Sequence, residues 1–440
     1  MIPRRAVASL LVAGLTALPL LVGCAGTLPS PDVSGPGFGR HAHGTVQLWV
    51  RAATVAASAP IVDDFNRTHD DVKVKMTAIP DAQYITKLAT AIRGRHVPDI
   101  VDVDDINSTL LAYHEALTDL TPLVRRLPYR NRLSHAHAEL ATYHGRQYGV
   151  PYLADISVLY YNKQLFRRAG LDPNQPPRTL EEVLSAARKI HALGHGVSGF
   201  SFGGNSPGIM GFTALPSVWA DPHDRPFTGA LSHQQAHVAD NPGMRRMLRF
   251  YRAVWAEGLS SPSSRTETGP TWGKDFLSGK VGIWPGNEGA LIAAGITAKF
   301  ARQVGVVALP GATAGSSVFA GGDNIAIPRG AENAAGGWEF IRYALRLKQQ
   351  SSLPASGYTP VRTDVVTKAF ARRYPRTTVA LRALDQVGYA PKTLAYNTAV
   401  NQVSGPFFKL FTSVVFHGGG DAALREGQTG MERALLQAES

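Results

Sequence analysis

The segment TVQLWVRAATVAASAPIVDDFNRTHDDVKVKMTAIPDAQYITKLATAIRGRHVPDIVDVDD, residues 45–105, decides the fold. Residues 45–50, 72–77 and 98–103 are apolar or alternate in polarity, which predicts three strands. Between them, residues 57–68 and 81–93 have the apolar spacing of helices. Strands that alternate with helices in this order predict a parallel sheet covered by helices.

Polar residues follow the predicted strands of this segment directly. They are Arg51, Pro80-Asp81 and Asp104-Asp105. Ligands of open α/β sheets bind beyond the carboxyl ends of the strands. We therefore expect the mouth of a ligand site at these residues.

The composition excludes several classes of protein. The 440 residues include one cysteine, so no disulfide can form within the chain, and 44% of them are hydrophobic, which is enough for an ordinary core. The formal net charge is +12, but no run of Lys and Arg is longer than two residues. This argues against a nucleic-acid partner, whereas a diffuse positive surface suits a protein held beside anionic lipid.

The amino terminus predicts the compartment. Arg4 and Arg5 precede the apolar residues 6–22, and the sequence Leu-Val-Gly then leads into Cys24, the pattern of a lipoprotein signal. We expect a signal peptide at residues 1–23, lipid attachment at Cys24, and a flexible tether at residues 24–44, which are rich in Pro, Gly and Ser. The protein would then be extracytoplasmic and anchored to the cell membrane, by either the Sec or the twin-arginine route. The alternative is a free structural cysteine after an ordinary signal peptide.

Short motifs in a fixed order carry a family resemblance. They are Phe65-Asn66 and residues 98–102, 148–152, 159–163, 276–280, 321–322 and 357–362. With these motifs in this order, the chain resembles the family 1 extracellular solute-binding proteins, the maltodextrin-type sugar receptors of ABC importers. Among these it is most similar to actinobacterial carbohydrate-binding lipoproteins, including amino-sugar receptors.

The resemblance implies a periplasmic-binding-protein-like α/β fold, with two lobes, three crossing hinge segments and a central cleft. Lobe I would comprise residues 45–152 and 318–360, and lobe II residues 156–310 and 365–440. The hinges are expected near residues 152–157, 310–319 and 358–364. Such a receptor closes around a small carbohydrate and delivers it to an ABC permease. It is expected to be a monomer without a cofactor.

The candidate ligand-binding residues are acids, amides and aromatic residues at loop positions. Sugar hydroxyls need hydrogen-bond partners when they are buried, and the apolar face of a sugar favours an aromatic platform. Each candidate also has a structural alternative, since a Trp is often a core residue and an Asp often caps a helix. The candidates are Asp104, Asp105, Asp155, Trp219, Asp221, Trp272, Trp284, Asn287, Glu288, Gly322, Asp323, Asn324 and Tyr358.

The excess of acids among these candidates suggests a class of ligand. A carboxylate-lined cleft suits a solute with an ammonium group, because charge-assisted hydrogen bonds are about twice as strong as neutral ones. An amino sugar or a small oligosaccharide is therefore expected. A glycerophosphodiester is the alternative within the same fold, and it would require Arg51 or Arg362 to reach into the cleft.

An enzyme is the competing function. Ser201 lies in a G-x-S-x-G pattern typical of serine hydrolases, but the sequence after Gly203 is poorly suited to begin the helix that this motif requires. Paired acids could also serve a glycoside hydrolase. His135 and His137 are two positions apart in a predicted helix, so they diverge and predict no metal site. We expect a binding protein with no catalytic residues and no metal.

Overall fold

The computed structural model describes residues 28–439, so the predicted signal peptide and Cys24 lie outside the described residues. The strands are β1 Gly44–Arg51, β2 Val72–Ile79, β3 Ile100–Asp104, β4 Thr142–Tyr143, β5 Arg146–Gln147, β6 Val150–Ile156, β7 Val158–Asn162, β8 Ser198–Phe200, β9 Phe227–Ala230, β10 His233–Ala236, β11 Val281–Gly286, β12 Val304–Val307, β13 Leu309–Pro310, β14 Ser316–Ala326 and β15 Gly388–Tyr389.

The α-helices surround these strands. They are α1 Val55–Thr68, α2 Asp81–Gly94, α3 Asp105–Tyr113, α4 Thr121–Val124, α5 His135–Leu140, α6 Lys163–Arg168, α7 Leu180–His191, α8 Pro207–Thr213, α9 Leu215–Trp219, α10 Pro242–Ala256, α11 Lys274–Leu277, α12 Glu288–Ala293, α13 Ala298–Ala301, α14 Ala334–Ala344, α15 Leu347–Ser352, α16 Lys368–Arg373, α17 Pro375–Val387, α18 Tyr396–Ala399, α19 Pro406–His417 and α20 Asp421–Glu439.

The first sheet has the strand order β13-β14-β3-β1-β2, and β6 and β15 also pair with β14. Strand β1 runs parallel to β2 and β3, as the sequence predicts for this segment. Alternate side chains of β1, Val46, Leu48 and Val50, are fully buried. They point to one face of the sheet, where helices α1 and α14 pack. Strand β14 is antiparallel to β3 and β6.

The second sheet has the order β12-β7-β11-β8. Strand β7 is antiparallel to β11 and β12, and β11 is parallel to β8. Helix α7 packs against β8 and against α10, and α10 packs against α19, which in turn packs against α20. Helix α17 contacts a strand of each sheet, β14 and β12.

The chain passes from the first sheet to the second at Ser157 and returns between β12 and β14. The two passages touch, because the backbone N–H of Phe319 donates to Ser157 Oγ at 3.0 Å. Thr359 and Ala154 exchange two backbone hydrogen bonds of 2.7 and 2.9 Å. The three segments expected to act as hinges therefore lie side by side, and their hinge motion stays a prediction.

The residues before β1 pack on the first sheet's side of the molecule. Gly330 N donates to Pro29 O at 2.9 Å, and Val33 is buried. The Arg126 guanidinium donates to Ser34 O and Gly35 O at 2.6 and 2.8 Å. The segment expected to be a tether thus contacts the fold along its described part. Between residues 28 and 439, no helix combines the length and the apolar character needed to cross a membrane.

Candidate functional site

A cavity of about 190 Å³ lies between the first sheet and helices α8 and α18. It opens beyond the carboxyl ends of β1 and β3, where the sequence places the mouth of the site. One wall comes from the first sheet and the other from α8 and α18, which pack against α19 and α20. The lining residues are Arg51, Ala53, Asp104, Ile106, Asp155, Gly208, Phe212, Phe319, Gly321, Gly322, Tyr358, Tyr396 and Asn401.

Arg51, the last residue of β1, organises the acidic wall. Its Nε and Nη2 donate to the two carboxylate oxygens of Asp323 at 2.6 and 2.8 Å, a bidentate pair. Its Nη1 lies 3.0 Å from Asp104 Oδ2 and 3.2 Å from Asp81 Oδ1. Asp323 is fully buried, so the guanidinium supplies the positive charge that a buried carboxylate requires.

Burial dominates the electrostatics of the remaining carboxyls. It raises the pKa of Asp104 to about 6, although Arg51 opposes this rise. It raises the pKa of Asp155 to about 7, against the hydrogen bonds from Asn287. The pKa of Asp102, which is fully buried next to Asp323, also lies well above its ordinary value because of burial. Two carboxyls that line the cavity thus titrate near neutral pH.

Asp155 and Asn287 connect the two sheets. Asp155 belongs to β6, and Asn287 follows β11 and caps helix α12. The Asn287 Nδ2 amide donates to both carboxylate oxygens of Asp155, at 2.7 and 3.0 Å. Asn287 Oδ1 accepts from the backbone N–H of Ala290 at 2.7 Å, which fixes the orientation of the amide. The contact therefore ties the first sheet to the second at the edge of the cavity.

A cluster of buried, hydrogen-bonded polar side chains lies behind the acidic wall. Asn324 Nδ2 donates to Asp105 Oδ1 at 2.5 Å and to the carbonyl of His137 at 3.1 Å. The His137 Nε2 lies 3.0 Å from Gly321 O, and Nδ1 lies 2.7 Å from Ser134 Oγ. Burial lowers the pKa of His137 to about 4, so the ring is neutral and Nε2–H donates to Gly321 O. Asp105 and Asn324 therefore position β14 rather than line the cavity.

The wall formed by α8 and α18 is aromatic, and Phe319 of β14 adjoins it. Phe212 and Phe319 lie with ring centroids 5.4 Å apart, and Tyr396 contacts Phe319 at 5.8 Å. The Tyr396 hydroxyl is buried and has no hydrogen-bond partner within residues 28–439. Tyr358 Oη donates to Ala53 O at 2.9 Å, so its ring is held over the cavity edge. The wall thus offers apolar ring surface, and beside it lies a buried hydroxyl whose hydrogen-bonding capacity no described residue uses.

The three predicted tryptophans lie outside the lining. Trp284 is 1% exposed and stacks between Tyr160 and Phe276, and Trp219 is 2% exposed in the core. Trp272 packs on Trp284 and on Phe212, one residue removed from the cavity. The observed aromatic surface comes instead from Phe212, Phe319, Tyr358 and Tyr396.

Two predicted acids serve other contacts. The Asp221 carboxylate accepts a hydrogen bond from the backbone N–H of His223 at 3.0 Å and so caps the turn there. Glu288 forms a bidentate ion pair with Arg376 and accepts from Tyr160 Oη at 3.3 Å. Of the predicted residues, Asp104, Asp155, Gly322 and Tyr358 line the cavity. Asp323 and Asn287 contact lining side chains.

The serine motif does not form a nucleophile elbow. Ser201 follows strand β8, but helix α8 begins only at Pro207, whereas an elbow turns directly from strand into helix. Arg362 also lies outside the cavity, because it pairs with Asp364 and donates to Leu345 O. Within the described part of the chain, no cluster of three or more His, Cys, Asp or Glu side chains could hold a metal ion.

The family model described as bacterial extracellular solute-binding protein matches residues 52–351, more than half of the chain. The chain belongs to this family. Its members are substrate-binding receptors of ABC transporters, so this solute-binding protein is not an enzyme. The family resemblance and the two-lobed α/β fold drawn from the sequence are confirmed, and the serine-hydrolase alternative is wrong.

Two curated relatives and one solved structure illustrate the likeness. The sn-glycerol-3-phosphate-binding periplasmic protein UgpB of Agrobacterium fabrum is 26% identical over 352 residues, covering 72% of this chain and 74% of its own. The diacetylchitobiose binding protein DasA of Streptomyces coelicolor is 25% identical over 365 residues, covering 81% and 82%. The sugar-binding protein MalE of Xanthomonas citri superposes with a TM-score of 0.79 at 21% identity, covering 90% and 98%.

Sequence reasoning missed more than half of the residues that line the cavity. The lining residues that were not candidates are Ala53, Ile106, Gly208, Phe212, Phe319, Gly321, Tyr396 and Asn401. Phe212, Tyr396 and Asn401 lie in or beside short helices far along the chain from β1, and nothing local marks them as ligand contacts. Arg51 was placed at the mouth because it follows the strand predicted at residues 45–50.

Proposed function

We propose that this protein captures a small carbohydrate in the cavity and delivers it to the permease of an ABC importer. The observation that supports this is the pairing of the two walls. Carboxyls and a guanidinium on one side can satisfy sugar hydroxyls, and aromatic rings on the other can cover the apolar face of a sugar ring. The cavity volume of about 190 Å³ favours a short ligand over a long oligosaccharide.

Closure of the lobes around the solute would follow from this arrangement. Asp104 and Gly322 lie on the first sheet, and Phe212 and Tyr396 lie on helices of the second half. A solute that contacts both walls binds the closed form better than an open one and shifts the population towards it, which is how hinge-closing binding proteins respond to their ligands. We place the lobe boundaries at the residues expected from the sequence, with hinges near residues 152–157, 310–319 and 358–364.

An amino sugar is the ligand we favour. Asp104 and Asp155 face the cavity, and the single guanidinium of Arg51 is already bonded to Asp323 and Asp81. The cavity therefore keeps an excess of carboxyl groups, which an ammonium group would balance. The relative named for binding diacetylchitobiose supports a carbohydrate as the wider class.

A glycerophosphodiester is the second candidate. Arg51 does line the cavity, and one curated relative is named for binding sn-glycerol 3-phosphate. A phosphate would have to compete for this guanidinium with Asp323 and Asp104, which lie at 2.6 and 3.0 Å. This competition is why we rank the carbohydrate first.

Calorimetric titration of the purified protein tests the proposal. Glucosamine and chitosan dimers should bind more tightly than glucose and cellobiose at about pH 7, where the sugar amine keeps its proton and Asp104 and Asp155 are at least partly ionised. Asp155→Asn should remove most of this preference, while Asp221→Asn, outside the cavity, should keep it. Equal affinity for the amino and neutral sugars would exclude the amino-sugar assignment, and tighter binding of sn-glycerol 3-phosphate than of any sugar would favour the second candidate.

Lipid attachment at Cys24 and an extracytoplasmic location are part of the same proposal. The sole cysteine follows an apolar segment in a lipoprotein-signal pattern. Diacylation would hold the protein at the membrane surface beside its permease. Intact-mass measurement of the membrane fraction should show a diacylglycerol-modified chain beginning at Cys24, and Cys24→Ala should abolish the modification.

A further inference from the structure

A second pocket of about 290 Å³ lies on the first lobe and shares no lining residue with the solute cavity. It is formed by the segment before β1, the residues after α4, and helix α14. Four arginines line it, together with aromatic side chains that include Tyr129 and Trp338. The arginines are Arg40, Arg126, Arg342 and Arg346.

Carboxylates balance only part of this positive charge. Arg342 pairs with Glu339, and its Nε is buried without a hydrogen-bond partner in the described chain. Arg126 donates to backbone carbonyls, and the Arg346 guanidinium lies 4.8 Å from the ring centre of Tyr343. The ion pairs of the described residues include no carboxylate bound to Arg40, Arg126 or Arg346. Like charges gathered without counter-charges favour the binding of an anion.

The shape of the donors selects the kind of anion. A guanidinium presents its N–H groups in a planar fork that matches the oxygens of a phosphate. Tyr129, which is half-buried, adds ring surface beside the charges, and such amphipathic rings are favoured at the boundary between water and lipid headgroups, whereas Trp338 is buried in the floor of the pocket. The pocket therefore combines donors for a phosphate with a partly apolar floor.

The pocket also lies close, along the chain, to the proposed lipid anchor. Gly37 lines it, and residues 24 and 37 are 13 positions apart, a contour of at most about 45 Å. With Cys24 attached to lipid as proposed above, the pocket is within reach of the membrane surface. The phosphate chemistry itself does not depend on that attachment.

We propose that this pocket binds a phosphate group, from the headgroup of an anionic phospholipid or from free phosphate. Occupation by a headgroup would orient the first lobe on the membrane. Occupation by free phosphate would stabilise the docked segment of residues 34–40, since Arg126 holds its carbonyls at the pocket edge.

The test compares two double variants of the full chain. Arg342→Gln with Arg346→Gln removes two pocket charges from the region of α14. Arg246→Gln with Arg249→Gln removes two charges from α10 and serves as the matched control. Binding of inorganic phosphate is measured by calorimetry at constant ionic strength. Co-sedimentation is measured with vesicles of phosphatidylcholine alone and of phosphatidylcholine with phosphatidylglycerol.

The pocket variant should bind anionic vesicles about 30-fold more weakly than the control, because each of the two arginines removed from an anionic surface weakens binding about fivefold. Weaker phosphate binding with unchanged vesicle binding would identify free phosphate as the source, and the converse would identify the headgroup. Equal binding by both variants in both assays would overturn the proposal. Arg40→Gln, an exposed change, repeats the test if the double variant is poorly folded, and solute binding in the cavity should be unchanged throughout.

Discussion

Removal of the Arg51 side chain should strongly destabilise the protein. In Arg51→Ala, Asp323 loses two hydrogen bonds of 2.6 and 2.8 Å while remaining fully buried, and Asp104 loses an ion pair of 3.0 Å. Breaking a buried ion pair from one side leaves an uncompensated charge, which costs about 3–5 kcal/mol. We expect the free energy of unfolding to fall by this amount at about pH 7.5.

The free energy of unfolding lost in Arg51→Ala should be larger at high pH than at low pH. Burial already raises the pKa of Asp104 to about 6, and Arg51 acts against that rise, so removing Arg51 moves the pKa further up. A carboxyl with a raised pKa in the folded state holds its proton longer than in the unfolded state. The free energy of unfolding therefore falls as pH rises from about 4 through the folded pKa. The deficit of the variant should be smaller at about pH 5 than at about pH 7.5.

Urea unfolding at both pH values measures this, with circular dichroism and tryptophan fluorescence recorded together to test for separate transitions of the lobes. Urea is preferred because guanidinium chloride would screen the charges. Arg329→Ala is the control, since its pair with Glu115 at 3.3 Å is partly exposed and should contribute less than about 1 kcal/mol. A deficit of the Arg51 variant below about 1 kcal/mol, or one that grows towards low pH, would refute the reasoning.

Three further predictions concern the cavity and its wall. Tyr396→Phe should leave stability unchanged, because the hydroxyl has no partner in the described chain, but it should weaken solute binding about 3- to 10-fold in calorimetry. Tyr161→Phe is the control: its hydroxyl donates to Pro173 O, so the change should lower the free energy of unfolding and leave solute binding unchanged. Binding of an amino sugar should weaken as pH falls through about 7, where Asp155 gains its proton, and Asp155→Asn should flatten this profile; an unchanged profile would contradict the assignment. Gly322→Ala should cost about 2–4 kcal/mol in urea unfolding, since φ is 133° and the new Cβ would lie 2.3 Å from Leu153 O, whereas Gly94→Ala meets open space.

The sequence predicted the first half of the first sheet closely. The expected strand at residues 72–77 is observed as Val72–Ile79, and the expected helix at residues 81–93 as Asp81–Gly94. Here neighbours along the chain are neighbours in space, so polarity patterns and turn residues carry enough information. Helix α3 begins at Asp105, directly after β3, because the Asp104 side chain accepts a hydrogen bond from the Ile106 N–H and caps the helix.

The site was predictable only where it belongs to that local pattern. Arg51 and Asp104 end β1 and β3, Asp81 comes shortly after β2, and the three side chains meet as expected at the carboxyl edge of the sheet. Trp284 was a candidate because it is aromatic and near a strand end, but sequence cannot tell which face of β11 is covered, and the ring packs between Tyr160 and Phe276. Phe212 and Tyr396 reach the cavity through packing between distant helices, which no local pattern encodes.

Strand β14 suggests how selectivity and release are divided between the walls. This one strand pairs with four others, β3, β6, β13 and β15, and it carries Gly322 and Asp323 at the acidic wall. A backbone bonded on both edges cannot adapt to a misfitting solute, so the carboxylate side should act as a fixed template. On the aromatic side, Phe212 and Tyr396 lie on short helices that can shift with their half of the molecule, whereas Phe319 belongs to β14 itself. Changes to the template should therefore alter which solute is accepted, and changes to the helices should mainly alter how long it stays.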